Sequence, residues 1–145
     1  GARAEALLYA AARAQLVEEA LEPLLAAGKL VLLDRFVDSS LAYQGAGRRL
    51  GVDAVRAINA FSTGGLVPDR TLLLTVDPQL GRSRSHARGA SADRLENQPD
   101  DFFERVAAAY ADLARLDPDR VTTIDAATGP SDVLVQALAA IADLL

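Results

Sequence analysis

The apolar residues of this chain form two patterns: some recur at helical spacing, and others stand in short uninterrupted runs. Between residues 3 and 27 they recur every three or four positions with glutamates on another side, which predicts an amphipathic helix. Pro23 is expected to kink or restart this helix, and Gly28 to end it. The apolar residues at helical spacing are Leu7, Leu8, Val17, Ala20, Leu21 and Leu24.

Three short apolar runs predict buried strands at residues 30–33, 71–76 and 121–124. Runs that are apolar on both faces are typical of parallel strands covered by helices on two sides. An aspartate follows each run, and ligands of such folds bind beyond the carboxyl ends of the strands. Aspartate is also a common strand terminator and helix cap. The proline that follows favours this capping role for Asp77, and both interpretations stay open for Asp125.

Helical segments are predicted between and after these runs, so strands and helices alternate. Their predicted starts are Asp53, Pro78, Asp100 or Asp101, and the residue after Pro130. The third segment places Phe102, Phe103, Val106, Tyr110 and Leu113 on one face. The last directs Val133, Leu134, Ala137, Leu138 and Ile141 inward. Such alternation predicts an α/β fold of three layers, built from parallel βαβ units with right-handed crossovers.

Composition and charge exclude several classes of function. The 145 residues carry 15 basic and 20 acidic side chains, a net charge of -5 that argues against general nucleic-acid binding. No apolar run approaches the ~20 residues of a membrane-spanning helix, and because no charged-then-apolar stretch stands at the start of this sequence we expect no leader sequence. Because cysteine is absent, a disulfide scaffold, thiolate metal sites and thiol catalysis are excluded, and we expect a cytoplasmic location.

The most informative segment is residues 34–45, Asp-Arg-Phe-Val-Asp-Ser-Ser-Leu-Ala-Tyr-Gln-Gly. At the end of a predicted strand, Asp34 can orient a neighbouring group or hold a metal-bound water. Arg35 offers a bidentate fork to a phosphate. The Ser, Tyr and Gln side chains supply hydrogen bonds, and glycine lets a ligand approach the backbone. An ion pair that closes a strand would explain Asp34 and Arg35 alone, but not the whole string.

This string resembles the signature of thymidylate kinases, Asp-Arg-(Tyr/Phe/His) followed by Ser-x-x-Ala-Tyr-Gln-Gly. Further segments are similar to the family in order and spacing: 7–15 to its substrate helix, 65–72 to its next strand, 88–96 to its lid, and 124–126 to its last strand and turn. The resemblance covers essentially the whole chain. It implies a P-loop NTPase-like parallel sheet with flanking helices, and transfer of the ATP γ-phosphoryl group, with Mg²⁺, to dTMP.

The resemblance implies that dTMP is bound by Tyr9, Arg13, Arg35, Ser40, Tyr43 and Gln44. Tyr9 would stack on thymine and Arg13 would contact a thymine carbonyl; four residues apart, they lie on one helix face. Arg35 would hold the phosphate, and the remaining three would touch the base and sugar. A half-buried ring and a solvent-facing arginine are the alternative structural roles of Tyr9 and Arg13.

The region 81–99 resembles the family's lid, in which small residues suit a loop that closes over nucleotide. Phosphoryl transfer needs cations around the migrating group, so we favour a functional role for Arg84 and Arg88 over a solvated basic helix end. Arg82 is left open, and His86 is expected to be a bystander. Lid arginines are characteristic of the bacterial type within this family.

Catalytic roles are implied by the resemblance for four residues, and ATP contacts for an overlapping four. The catalytic set is Asp34, Arg35, Arg84 and Arg88. The ATP set, on the lid and adenine sides, is Arg84, Arg88, Asp125 and Ala126. The metal ligands stay unassigned.

The sequence contains no Gly-x-x-x-x-Gly-Lys-Ser/Thr, the phosphate-binding loop of P-loop kinases. Lys29, its single lysine, predicts a helix stop instead. In the family order this chain begins at the substrate helix, so we interpret residues 1–145 as one domain, the C-terminal two thirds of a nucleoside monophosphate kinase fold. The family's P-loop strand lies between the Asp-Arg strand and the strand at 71–76. Those two strands would face a gap, and the 145 residues alone are expected to be unstable and inactive.

Two other functions stay open at this point. One is a non-catalytic nucleotide-binding or dimerisation module derived from such a kinase. The other is a different P-loop nucleoside or nucleotide kinase, which does not predict the run at 42–45 together with Tyr9 and Arg13. The family is generally homodimeric, and the Ala-rich first helix with Leu16 could contribute to that surface. The expected partners are thus dTMP, ATP and a second copy, without nucleic acid or a membrane.

Overall fold

A computed structural model describes residues 1–77, 80, 81, 83, 84 and 98–145. The chain divides into two compact units. The first comprises Gly1–Val67 and Asp100–Tyr110, and the second Pro68–Pro99 and Ala111–Leu145. Within the described ranges, no helix combines the length and apolar character that a membrane span requires.

The first helical region of unit one is interrupted, as the sequence predicts. Helix α1 covers Ala2–Leu16, a π-helical segment covers Val17–Leu21, and helix α2 covers Glu22–Ala26. Proline lacks an N–H and its ring collides with the carbonyl four residues back. The π-helical segment widens the helix just before Pro23, where the ordinary hydrogen-bonding pattern cannot continue.

The predicted stop at Gly28 is confirmed. Gly28 has a φ of +67°, in the left-handed region that favours glycine. Its N–H donates to the Leu25 carbonyl at 2.9 Å, and the Lys29 N–H donates to the Leu24 carbonyl at 3.0 Å. These two bonds form a Schellman motif, so the single lysine of the chain belongs to a helix end.

The face of α1 that packs inward differs from the sequence expectation. Leu7 and Leu8 are 56 % and 72 % exposed, whereas Ala6 and Ala10 are buried. Two alanines on one face leave little side-chain bulk between α1 and the elements it packs against. The buried stripe continues through the π-helical segment, where Val17 and Leu21 are buried as the spacing predicts.

The strand predicted at residues 30–33 is wrong for this structure, because the segment has no regular secondary structure. A strand exists only through hydrogen bonds to a neighbour, and no backbone hydrogen bond joins this segment to another described part of the chain. Its side chains alternate: Val31 and Leu33 pack against the cluster of Val17, Leu21 and Phe36. The other two leucines, at 30 and 32, are exposed.

Residues after this segment form a compact helical turn around the informative string. Helix α3 covers Val37–Ser40, a second π-helical segment covers Leu41–Gly47, and helix α4 covers Val52–Ser62. The start of α4 lies one residue before the predicted Asp53. This π-helical segment contacts both neighbouring helices, and the polar residues of the string are divided between α3 and the π-helical segment rather than lying on one regular α-helix.

Helix α5, Asp100–Leu116, contributes its first part to unit one. Its cap is Pro99, so Asp100 and Asp101 lie in the first turn instead of capping it. Phe102 and Val106 are buried against Ala42 of the second π-helical segment, as the predicted apolar face requires.

Gly47 makes this close approach between α5 and the second π-helical segment possible. A Cβ atom at Gly47 would lie 2.6 Å from Cε2 of Phe102 and 3.0 Å from Cγ2 of Val106. Any larger residue at this position would therefore displace a buried ring.

Unit two contains a parallel pair of strands. Strand β1 covers Thr71–Thr75 and strand β2 covers Val121–Asp125, paired in step from their first residues to their last. This confirms both predicted strands and their parallel direction. The Leu80 N–H donates to Asp77 Oδ1 at 3.3 Å, which confirms the capping role expected for Asp77. The predicted helix start at Pro78 lies outside the described residues.

The last regular helix, α6, covers Pro130–Ala140 and begins one residue before the predicted start. It packs on β2. Leu134 and Leu138, which the sequence places inward, are 57 % and 48 % exposed. The residues that are partly buried are Val133, Gln136, Ala137 and Ala140. A single sheet contact covers only one side of this apolar helix, so its other side faces outward within the described part of unit two.

Candidate active site

Arg13 of α1 is the centre of a polar cluster in unit one. Its Nη1 donates to Oδ1 of Asn59, and its Nη2 donates to the Phe36 carbonyl at 3.3 Å and to Ser40 Oγ at 3.1 Å. The guanidinium carbon also lies 5.4 Å from the centre of the Phe36 ring. Burial lowers the pKa of Arg13, which stays charged because arginine titrates far above neutral pH. The structure thereby joins two predicted dTMP residues, Arg13 and Ser40.

Asn59 is a member of this cluster that sequence reasoning missed. It lies on α4 and is 2 % exposed. Its Nδ2 donates to the Val55 carbonyl at 2.7 Å. The available signal was an asparagine four residues after the buried Val55 of an amphipathic helix, since a buried amide needs partners.

Arg35 has an unusual backbone for a residue with a side chain. Its φ is +69°, a left-handed conformation that costs about 1–2 kcal/mol outside glycine. Its guanidinium is exposed and lies 5.4 Å from the centre of the Tyr43 ring. It makes no ion pair with any described residue, so its donors are available to an anion.

Two aromatic rings pack against the ring of Tyr43. Its ring meets that of Phe102 edge-on at 6.0 Å and that of Tyr110 at 6.4 Å. The Tyr110 hydroxyl is hydrogen-bonded to Ser39 Oγ at 2.8 Å, and burial raises the pKa of Tyr110. These contacts restrict the motion of the Tyr43 ring, over which the Arg35 guanidinium lies. The sequence placed Tyr110 on an apolar face, without this contact to the site.

Gln44, another predicted dTMP residue, is buried and engaged with the protein. Its Nε2 donates to Glu5 Oε1 at 3.0 Å. Arg48 donates two hydrogen bonds to the same Glu5 carboxylate, from Nε to Oε1 at 3.2 Å and from Nη2 to Oε2 at 3.2 Å. The Arg48 guanidinium also lies 5.2 Å from the centre of the Phe102 ring. The contact of Gln44 with dTMP stays a prediction, and its observed role is to tie α1 to the second π-helical segment.

Replacing Glu5 with glutamine is expected to destabilise the protein by about 2 kcal/mol. The substitution replaces the carboxylate that accepts two hydrogen bonds from the Arg48 guanidinium by a neutral amide, at a place where the Arg48 side chain is only 17 % exposed. Urea unfolding measures the change. Glu18→Gln, at an exposed glutamate, is the control and is expected to stay within about 0.5 kcal/mol. Equal losses in the two variants would contradict this role of the Glu5–Arg48 pair.

Tyr9 and Asp34, the remaining predicted residues of unit one, are both exposed. Tyr9 lies on α1 one helical turn before Arg13, as its spacing predicts. Asp34 precedes the strained Arg35 and forms no ion pair within the described residues. The roles assigned to both stay predictions.

In unit two the structure brings Arg84 to the turn after β2. Arg84 Nη1 donates to the Ala126 carbonyl at 2.6 Å and Nη2 to the Ala127 carbonyl at 3.1 Å. Asp125 Oδ1 accepts from the Ala127 N–H at 2.8 Å, which closes this turn. Three of the predicted ATP residues thus lie together, and their role stays a prediction. Arg88, with Arg82 and His86, lies outside the described residues.

No group of three or more His, Cys, Asp or Glu side chains gathers into a metal site in the described ranges. Mg²⁺ in phosphoryl transfer is commonly held by one or two carboxylates together with substrate phosphates and water. In unit one, the Asp34 carboxylate is a candidate ligand of that kind.

Comparisons with known proteins agree with the signature. A family profile described as thymidylate kinase matches residues 2–137. The chain is 47 % identical over 144 residues to the thymidylate kinase of Halorhodospira halophila, covering 99 % of this chain and 67 % of the relative. It is 50 % identical over 141 residues to that of Latilactobacillus sakei, covering 97 % and 66 %. Against that of Deinococcus radiodurans the identity is 52 % over 130 residues, covering 90 % and 62 %. The chain therefore spans about two thirds of the length of these relatives.

Proposed function

This chain belongs to the thymidylate kinase family, and from that premise we propose that it serves to transfer the γ-phosphoryl group of ATP to dTMP, giving ADP and dTDP. Membership confirms the predicted fold class, the parallel-sheet α/β architecture of P-loop NTPases. The observation that best supports the proposed reaction is the contact of Arg13 with the backbone of Phe36, 23 residues away in the chain. It brings the guanidinium of the candidate base contact to the backbone of the residue that follows Arg35, the candidate phosphate contact.

The arrangement in unit one suits recognition of a nucleoside monophosphate. Arg35 would bind the dTMP phosphate through its planar fork, and the Tyr43 ring beneath it would limit its motion. Arg13 would donate to a thymine carbonyl, with Tyr9 stacking on the base one turn away. Positioning of this kind lowers the barrier of phosphoryl transfer, because the reaction needs alignment and cations more than covalent participation.

We assign the ATP side to unit two and the lid. Arg84, Asp125 and Ala126 would border the adenine side, and Arg88 of the lid would add a cation at the migrating phosphoryl group. Mg²⁺, bound with the phosphates, would neutralise their developing charge. Asp34 would orient its water ligands from the protein side.

A homodimer and a cytoplasmic location accompany this proposal. Leu7, Leu8 and Leu16 are exposed on α1, where they would be covered by a second copy of the chain. The reaction would take place in the cytoplasm, the location expected from the absence of cysteine.

Nucleotide-dependent ADP release tests the reaction. The product of the complete reading frame is assayed with ATP and one of dTMP, dCMP, dUMP or dGMP. We expect ADP release with dTMP and much slower release with the other three. Release that does not depend on dTMP would overturn the proposed function.

The 145 residues by themselves are proposed to be inactive, because they contain no P-loop sequence to hold the ATP phosphates. The same assay on this chain is expected to show no turnover. Turnover by the 145 residues would contradict this second statement and leave the proposed reaction standing.

A further inference from the structure

We propose that Asn59 is a positioning residue for base recognition: it holds the Arg13 guanidinium in the orientation that reads the nucleobase. The inference rests on the proposed function, in which Arg13 contacts a thymine carbonyl. Asn59 lies 46 residues from Arg13 in the chain and outside every motif that carries the family resemblance.

The amide of Asn59 can present only one group to Arg13. Its Nδ2 donates at 2.7 Å to the Val55 carbonyl of its own helix. That bond fixes which way the amide is turned, so Oδ1 is the atom that faces Nη1 of Arg13. The residue is 2 % exposed, and water therefore does not compete for this oxygen.

The contacts of Arg13 determine which of its donors remain for a ligand. Both N–H groups of Nη2 are accounted for, by the Phe36 carbonyl and Ser40 Oγ. One N–H of Nη1 points to Asn59. The Nε–H and the second Nη1–H have no acceptor among the described residues, and these two donors remain for the base.

The two sets of anchors act on different nitrogens of the guanidinium. Among the described residues, Phe36 and Ser40 hold Nη2, while Asn59 alone holds Nη1. Without Asn59 the group can pivot about its Nη2 contacts, which displaces the donors proposed to read the base. A side chain that packs as well but accepts no hydrogen bond should therefore reduce base recognition and leave phosphate recognition intact.

The experiment measures binding of dTMP, thymidine and inorganic phosphate by calorimetry to the product of the complete reading frame. In Asn59→Leu, which keeps the branching and the number of side-chain heavy atoms and removes the acceptor, dTMP and thymidine are expected to bind about 10-fold more weakly. Phosphate binding is expected to stay unchanged. Asn59→Asp keeps an oxygen for Arg13 but loses the donor to the Val55 carbonyl, and it is expected to bind thymidine more tightly than Asn59→Leu does.

Thr63→Val is the matched control, because Thr63 is also 2 % exposed and directly follows the same helix, and in the described structure it is not a hydrogen-bond partner of Arg13. It is expected to bind thymidine as the unaltered protein does. If Asn59→Leu does not fold, Asn59→Ala takes its place with the same expected loss.

Three outcomes would count against these statements, and they are distinguishable. If the unaltered protein binds no dTMP, the proposed function fails. If it binds dTMP but the apolar Asn59 variant binds thymidine within twofold of the unaltered protein, the positioning role is overturned. An equal loss of thymidine affinity in Thr63→Val would also overturn it, because the loss would then come from general disturbance of α4.

Discussion

Replacing Arg35 with alanine is expected to weaken dTMP binding by about 10- to 100-fold, the loss of a charge-assisted hydrogen-bonding fork. The fold should be nearly unaffected, because the Arg35 side chain is exposed and forms no ion pair in the described structure. Alanine also meets the same cost at the positive φ, so backbone strain does not change between the two. Calorimetry with dTMP and with thymidine checks the prediction, since thymidine lacks the phosphate and its affinity should stay constant.

Arg49 offers a control that matches Arg35 in backbone and exposure. Its φ is +57° and its side chain is 72 % exposed, but it lies 3.6 Å from Asp101 in a surface ion pair. Arg49→Ala is expected to bind dTMP as the unaltered protein does. Arg35→Lys, which keeps the charge and loses the fork, should fall between. Unchanged dTMP affinity in Arg35→Ala would remove Arg35 from the proposed phosphate site.

The sequence predicts those parts of the fold that depend on local pattern. The helices around Pro23, at Val52–Ser62 and after Pro130 follow from apolar periodicity, a proline and glycine ends. The strand that the sequence predicts at 30–33 is absent, because a strand needs a neighbouring strand to bond with, and a local pattern does not show whether that neighbour is present. The inward face of α1 is also set from outside, since buried alanines there replace the leucines that hydrophobicity alone would choose.

The candidate site likewise contains residues that the local sequence predicts and residues that it does not. The string at 34–45 identifies Arg35 and Tyr43, which lie close to each other in the structure. The residues that hold them and Arg13 were not predictable, because their partners are distant in the chain. Asn59 lies 46 residues from Arg13, and Tyr110 lies 71 residues from Ser39. Sequence motifs identify residues that resemble a family's ligand contacts. The residues that hold those side chains in place come from distant parts of the chain and depend on tertiary packing.

Replacing Phe102 with alanine is expected to cost about 3–5 kcal/mol of unfolding free energy, the largest stability effect we anticipate. Its ring is 2 % exposed and packs with Ala42 and Val106 in the core of unit one. The substitution also removes the edge-on contact with Tyr43 and the surface beneath Arg48. Guanidinium or urea unfolding measures the change. Phe61→Ala, at a ring 91 % exposed on α4, is the control and should change stability by less than about 0.5 kcal/mol.

A second substitution tests whether the cost comes from the packing of this ring against Gly47. Gly47→Ala alone should destabilise by about 1–3 kcal/mol, because its Cβ would lie 2.6 Å from the Phe102 ring. In the Phe102→Ala background the same methyl group enters the space that the ring has left. The double variant is therefore expected to be more stable than the sum of the two single losses allows, by about 1 kcal/mol or more. Additive losses would show that Gly47 and Phe102 act independently, and that the close approach between α5 and the second π-helical segment does not set the stability of this core.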